Sequence, residues 1–132
     1  MSLLPALALL ALAQDPNFSD GLDAVAAAPA HHRILLENDQ VRVLEVTVGP
    51  GETEPVHSHR WPSVMHIQTP QPLTDIVYEV RNGAPVEVRR YDLPDGSPPP
   101  ALFGGPEGPH AIHNRGQAPF KALRIELKPH QP

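Results

Sequence analysis

Cysteine is absent from all 132 residues. That excludes a disulfide framework, thiolate metal ligands and a cysteine nucleophile. Basic residues are scarce: ten Lys and Arg stand against fifteen Asp and Glu, for a formal net charge of -5. They are scattered rather than gathered into a stripe, which argues against a nucleic-acid backbone as partner. A membrane-spanning helix also lacks its sequence, because the apolar run Leu3 to Ala13 is too short to cross a bilayer.

What is abundant is proline, with eighteen residues. Proline fixes φ and removes a backbone donor, so long helices do not run through most of this chain. Stretches rich in valine and isoleucine lie between the proline and glycine clusters, a pattern of short strands joined by turns. The length suits one domain with one modest core.

Residues 1–13 read as a signal peptide. Leu3 to Ala13 is the apolar part, and Ala11-Leu12-Ala13 has the small-x-small form of a cleavage site before Gln14. The expected location is then periplasmic or secreted. Met1-Ser2 carries no basic residue, so a second reading stands beside it: an apolar helix packed on the domain or on a second subunit, with a cytoplasmic location. Residues 14–33 form a connecting segment. Ser19-Asp20 is placed to cap a short helix through Asp23 to Ala28, which Pro29 ends.

From Arg33 the texture is β. Arg42, Leu44, Val46 and Val48 alternate with Val41, Val43, Glu45 and Thr47, and Gly49-Pro50-Gly51 ends the run. His57 to Gln68 reads as a strand interrupted at Pro62. Asp75 to Val80 and Val86 to Tyr91 form a hairpin about Asn82-Gly83. Asp95 to Pro109 reads as loop, with one short strand near Ala101 to Phe103. Ala111 to His113 and Phe120 to Leu127 supply the last strands, and 129–132 is a tail. This spacing of short strands predicts an all-β sandwich or barrel.

Four of the eight histidines fall in two windows, Gly51 to His59 and Gly105 to Asn114. Residues i and i+2 of a strand share a face. His57 and His59 therefore aim their imidazoles into one space, as two ligands of one metal must. Gly51, His57 and His59 have the spacing of the first cupin motif, and Pro106, Gly108, His110 and Asn114 that of the second, with one residue fewer between Gly108 and His110. The region from Ile34 to Leu127 thus resembles the cupin superfamily. The resemblance implies a single-domain, jelly-roll-like β-barrel over 34–128, with a metal site formed by His57, His59 and His110. Ser63 or Val64 stands where the family has its glutamate. The implied site is therefore neutral and resembles that of the cupin thiol dioxygenases, favouring Fe²⁺, Ni²⁺, Cu²⁺ or Zn²⁺ over hard ions such as Mn²⁺.

The other histidines are assigned elsewhere. His66 is expected on the barrel wall and His113 on the outward face, while His31, His32 and His130 read as surface residues. Trp61 belongs either to the cavity mouth or to ordinary core. Tyr78 and Arg89 are candidate substrate anchors whose facing depends on strand register. The functional expectation is a cupin that binds a divalent transition metal and a small organic molecule, with an oxygenase-type reaction as its most concrete form. The alternative is a small-ligand binding or sensing cupin without metal. No residue is singled out as acid or base. The family habit of pairing through barrel faces implies a homodimer.

Overall fold

The computed structural model describes residues 15–130. The apolar run Leu3 to Ala13 and its expected cleavage site lie outside them. Two short 3₁₀ turns, Pro16–Phe18 and Asp20–Leu22, lead into one helical turn, α1 (Ala24–Ala27). Asp23 caps α1, its carboxylate accepting from the Val25 N–H at 3.2 Å. The cap was expected at Ser19-Asp20, but Ser19 makes no side-chain cap bond. Asp23 takes that role because Arg42 holds its carboxylate in place. No described helix is long and apolar enough to cross a membrane.

Nine antiparallel strands follow: β1 (His32–Glu37), β2 (Val41–Val48), β3 (His57–His59), β4 (Ser63–Thr69), β5 (Leu73–Arg81), β6 (Ala84–Asp92), β7 (Leu102–Gly104), β8 (Glu107–Asn114) and β9 (Phe120–Leu127). They form a five-stranded sheet, ordered β1-β2-β9-β4-β7, and a four-stranded sheet, ordered β3-β8-β5-β6. The alternation read from the sequence gives β2 its inward face of Arg42, Leu44, Val46 and Val48, all buried. Leu44, Val46 and Val48 pack with Leu73, Phe120 and Ala122 as the apolar core. Both turn signals use left-handed backbone. Gly51 has φ 76°, and Asn82-Gly83 has φ values of 52° and 81°, the geometry that lets a two-residue hairpin follow the strand twist.

Two expectations change in the structure. The single strand expected from His57 to Gln68 is two strands in different sheets, β3 and β4. Pro62 marks the corner where the chain crosses between them. The loop expected through Pro109 ends earlier, because β8 begins at Glu107. The pairing of β3 with β8 shows why proline is tolerated there: His57 pairs with His110 but His59 with Glu107, so a bulge accommodates the extra residue. Pro109 sits in that bulge, where no ladder donor is required.

Asn114 ends β8 and fastens the barrel end. It is fully buried; its Nδ2 donates to Val48 O at 2.9 Å and Ala118 O at 2.8 Å, and its Oδ1 accepts from Gly116 N at 2.8 Å. Removing the amide leaves these groups without partners in a site closed to water. Asn114→Ala should therefore cost about 2–4 kcal/mol. Urea unfolding of the two proteins measures this, and a difference below about 0.5 kcal/mol would contradict it.

Candidate metal centre

β3 is three residues long and buried throughout. His57 and His59 face the barrel interior with ring centroids 5.1 Å apart. Ser58, pointing the other way, meets the N-terminal segment through Leu22 O and a bridge to Asp23. Because β8 pairs with β3, His110 lies directly across from His57, their rings 4.6 Å apart, and 5.6 Å from His59. A fourth imidazole comes from the other sheet. His32 opens β1, and its ring lies 4.5 Å from His57 and 5.4 Å from His59. One ring nitrogen from each of His32, His57 and His59 falls within 4.8 Å of the others, close enough to bind one metal ion.

All four rings are oriented in the same way. Nδ1 of His32 reaches Ala28 O at 3.0 Å, that of His57 Pro55 O at 2.8 Å, and that of His110 Gly108 O at 2.8 Å. Nδ1 of His59 reaches Glu126 Oε2 at 2.9 Å. A carbonyl oxygen only accepts, so each Nδ1 facing one carries the proton and, in a neutral ring, Nε2 is left with a lone pair. This is the usual second layer of a histidine metal site, where the remote nitrogen is tied to an oxygen and the near one is free.

Carboxylates surround the rings. Glu54 is buried; its Oε1 accepts from Ile112 N at 3.1 Å, and its Oε2 stands 3.5 Å from His32 Nε2 and 4.0 Å from His57 Nε2 with no hydrogen-bond partner. Glu107 Oε2 is 3.5 Å from His110 Nε2, while its Oε1 accepts from Arg124 Nη2 at 2.8 Å. Glu126 joins His59 to Arg42, whose Nε donates to it at 2.6 Å, and Arg42 in turn makes a two-point bond to Asp23. The family's glutamate is missing at Ser63 and Val64, as expected, and Glu54 places a carboxyl group beside the rings from the other side of the His-x-His pair.

Burial sets the protonation states. Desolvation holds His57 down to about 2, reinforced by His110 and His32, and holds His32 down to about 4 against the favourable bond to Ala28. His59 lies well below its ordinary value, through burial first and the Arg124 charge second. Burial pushes the Glu54 carboxyl up to about 8, since the bond from Ile112 offsets only part of the cost. Glu107 moves the other way: burial opposes its charge, but Arg124 outweighs that and lowers it.

The cavity beneath these rings has a volume of about 230 Å³. His57, His59 and His110 all line it, and so does His32. His32 is a correction, since it was read as a surface residue and is only 3% exposed. Its neighbour His31 is also half-buried, with Nε2 3.7 Å from Glu52 Oε2, so of the three only His130 is exposed. His66 is exposed and bonds Pro100 O, while Met65 and Ile67 on either side face the cavity. His113 bonds Thr53 outside the cavity. Trp61 lies between the Arg42 guanidinium at 5.1 Å and Lys128 at 5.4 Å, away from the cavity. Tyr78 and Arg89 do not line it either; Arg89 is exposed and lies over Tyr91.

Arg42, Arg124 and Glu126 were not recognised from the sequence, although a signal was present. Each sits at an inward position of an otherwise apolar alternation, Leu44, Val46 and Val48 in β2 and Phe120 and Ala122 in β9. A charged residue in such a place is rarely buried without a partner.

No family model and no curated protein matches the chain. Solved structures do. A cupin domain from Bordetella pertussis Tohama I is 21% identical over 74% of this chain and 92% of its own, with a TM-score of 0.55. An RmlC-like cupin family protein with a double-stranded β-helix fold, from Methanocaldococcus jannaschii, is 11% identical over 74% of this chain and 78% of its own, with a TM-score of 0.50. A protein from Bacillus halodurans is 17% identical over 77% of this chain and 73% of its own, also at 0.50. At these identities the likeness is one of fold.

The buried rings give the metal-free protein a defined pH dependence. His32, His57 and His59 are neutral when folded and take up protons near 6.5 when unfolded, so their stabilisation is complete above pH 6.5 and is lost as pH falls below it. Glu54 has the opposite sign: its folded value is raised, so its contribution is complete below 4.5 and is lost as pH rises toward 8. Each proton changes stability by about 1.4 kcal/mol per pH unit. Stability should therefore peak near pH 6.5 and fall more steeply on the acid side, where three rings oppose one carboxyl. Urea midpoints from about pH 4.5 to 8 test it; a profile that is flat or rises below pH 6 would refute it.

Proposed function

We propose that this chain, a cupin by fold, is a metalloprotein that holds one divalent transition metal ion on the Nε2 atoms of its buried histidines and takes a small organic molecule into the adjoining cavity. The observation that carries the reading is the group of His32, His57 and His59, each with Nδ1 tied back to an oxygen and one ring nitrogen of each within 4.8 Å of the others; His110 is held in the same way beside them but lies outside that group. Neutral rings in a dry pocket with free lone pairs are costly as structural filler and well suited to Fe²⁺, Ni²⁺, Cu²⁺ or Zn²⁺. His57 and His59 take His32 as the third ring within ligand distance, and His110 from the second motif flanks His57 as a fourth imidazole. Glu54, whose Oε2 lacks a partner, is the carboxylate donor in reach and stands in for the glutamate missing at Ser63 and Val64.

A bound ion of this kind supplies Lewis acidity or, with iron, access to oxygen chemistry. The chain's own residues do the remaining work. Glu126, fixed by Arg42, holds the proton on His59 Nδ1 and so keeps Nε2 basic. The apolar wall excludes water from the space where a substrate would lie. An oxygenase-type reaction suits such a site, with imidazole and one carboxylate around open positions.

Titration of Ni²⁺, Zn²⁺ and Fe²⁺ into metal-stripped, untagged protein tests the reading. Wild type should bind one ion and gain about 2.7 kcal/mol of stability at a hundredfold excess over its dissociation constant. His57→Ala and His59→Ala should abolish binding; His32→Ala and His110→Ala should each weaken it by about tenfold or more. Glu54→Gln should weaken Mn²⁺ more than Ni²⁺, since it removes the hard donor. No binding by wild type would instead favour a metal-free ligand-binding cupin.

A further inference from the structure

The cavity is lined by two unlike groups of side chains. One is the histidines and the carboxyl groups beside them; the other is apolar, among them Val46, Val48, Leu73, Leu102, Ile112 and Phe120. Arg124, from the inward face of β9, lines the same cavity. Its side chain is 4% exposed. Nη2 donates to Glu107 at 2.8 Å, and Nη1 meets only the weakly accepting sulfur of Met65 at 3.5 Å. Nε has no partner among the described residues. A guanidinium is charged at every physiological pH and rarely leaves a buried N–H unmet. Glu107 satisfies one corner of Arg124; the Nε edge is short of an acceptor.

We propose that Arg124 is the anion anchor of this cavity and that its ligand is a small monocarboxylic acid with a compact apolar body. The inference rests on the reading of this cavity as the functional site. A carboxylate oxygen on Nε makes the charge-assisted hydrogen bond that the site lacks. The hydrogen-bonding edge favours a single carboxylate over a more highly charged group: Arg124 is one guanidinium already shared with Glu107, and Asp75 lines the same cavity with an Oδ1 that has no partner among the described residues. A dianion such as phosphate would face both carboxylates with no second cation. Size limits it further. A cavity of about 230 Å³ holds the equivalent of about eight waters at ~30 Å³ each, so the ligand has on the order of eight non-hydrogen atoms or fewer. The apolar wall takes an alkyl body and offers nothing to a polyol.

Isovalerate serves as the probe, with isovaleramide as its uncharged counterpart and inorganic phosphate as the dianion. Each is titrated calorimetrically at pH 7 into metal-free and into Ni²⁺-treated protein, wild type and Arg124→Gln, with Ni²⁺ binding measured in parallel. Isovalerate should bind wild type, with isovaleramide and phosphate each weaker by about tenfold or more. Arg124→Gln should lose about tenfold or more for isovalerate while still binding Ni²⁺. The acid-versus-amide comparison on wild type decides the matter even if that variant does not fold. Equal affinity for acid and amide overturns the proposal. So does undiminished binding of isovalerate by Arg124→Gln, or no binding to either form of wild type at about 10 mM. If Ni²⁺ does not bind but isovalerate binds through Arg124, the metal reading fails and this one stands.

Discussion

Four imidazole rings crowd together below the surface of this barrel, and burial holds three of them, His32, His57 and His59, in the neutral form. A charged ring would face the desolvation cost of burial and the repulsion of its neighbours at 4.5–5.6 Å. Neutrality then imposes a second demand. Each ring has one N–H that must find an acceptor, and the acceptors come from widely separated parts of the chain: Ala28, Pro55, Gly108 and Glu126. Satisfying four rings at once ties the N-terminal segment, the approach to β3, the bulge of β8 and the inner face of β9 to one point.

The N-terminal segment is accordingly part of the site. Asp23 caps α1, grips Arg42 with two hydrogen bonds, and through Arg42 and Glu126 reaches His59. A buried ionic line of this kind adds little net stability, because desolvation offsets the attraction. Its contribution is geometric: it fixes which carboxylate oxygen faces His59 and hence the orientation of the ring. α1 also presents Ala28 O to His32, so the last turn before β1 positions a site residue.

Polar and apolar side chains share the cavity wall because the inward positions of β2 and β9 change in character along each strand. β2 contributes Val46 and Val48, while β9 carries inward positions from Phe120 to Arg124. The apolar side chains lower the dielectric around the rings and so maintain the neutrality on which they depend. The same burial leaves Glu54 Oε2 and Arg124 Nε without partners among the described residues.

The sequence by itself determined the β architecture, most strand positions and the pairing of His57 with His59, because these follow from local rules. Alternation sets a strand's faces, Asn82-Gly83 sets a turn, and i to i+2 spacing sets a shared side. The two motif windows also made His110 a candidate. The tertiary structure alone decided that His32 belongs with them. Its neighbours in sequence, Ile34 to Glu37, are exposed, and only the pairing of His32 with Val46 and the cover of α1 turn it inward. It likewise decided that the Glu54 carboxyl lies beside the rings, and that Arg42, Arg124 and Glu126 have buried partners. Those contacts join residues up to 84 positions apart. Local periodicity says which face of a strand a side chain occupies, but only the closure of two sheets on each other says which side chain it meets.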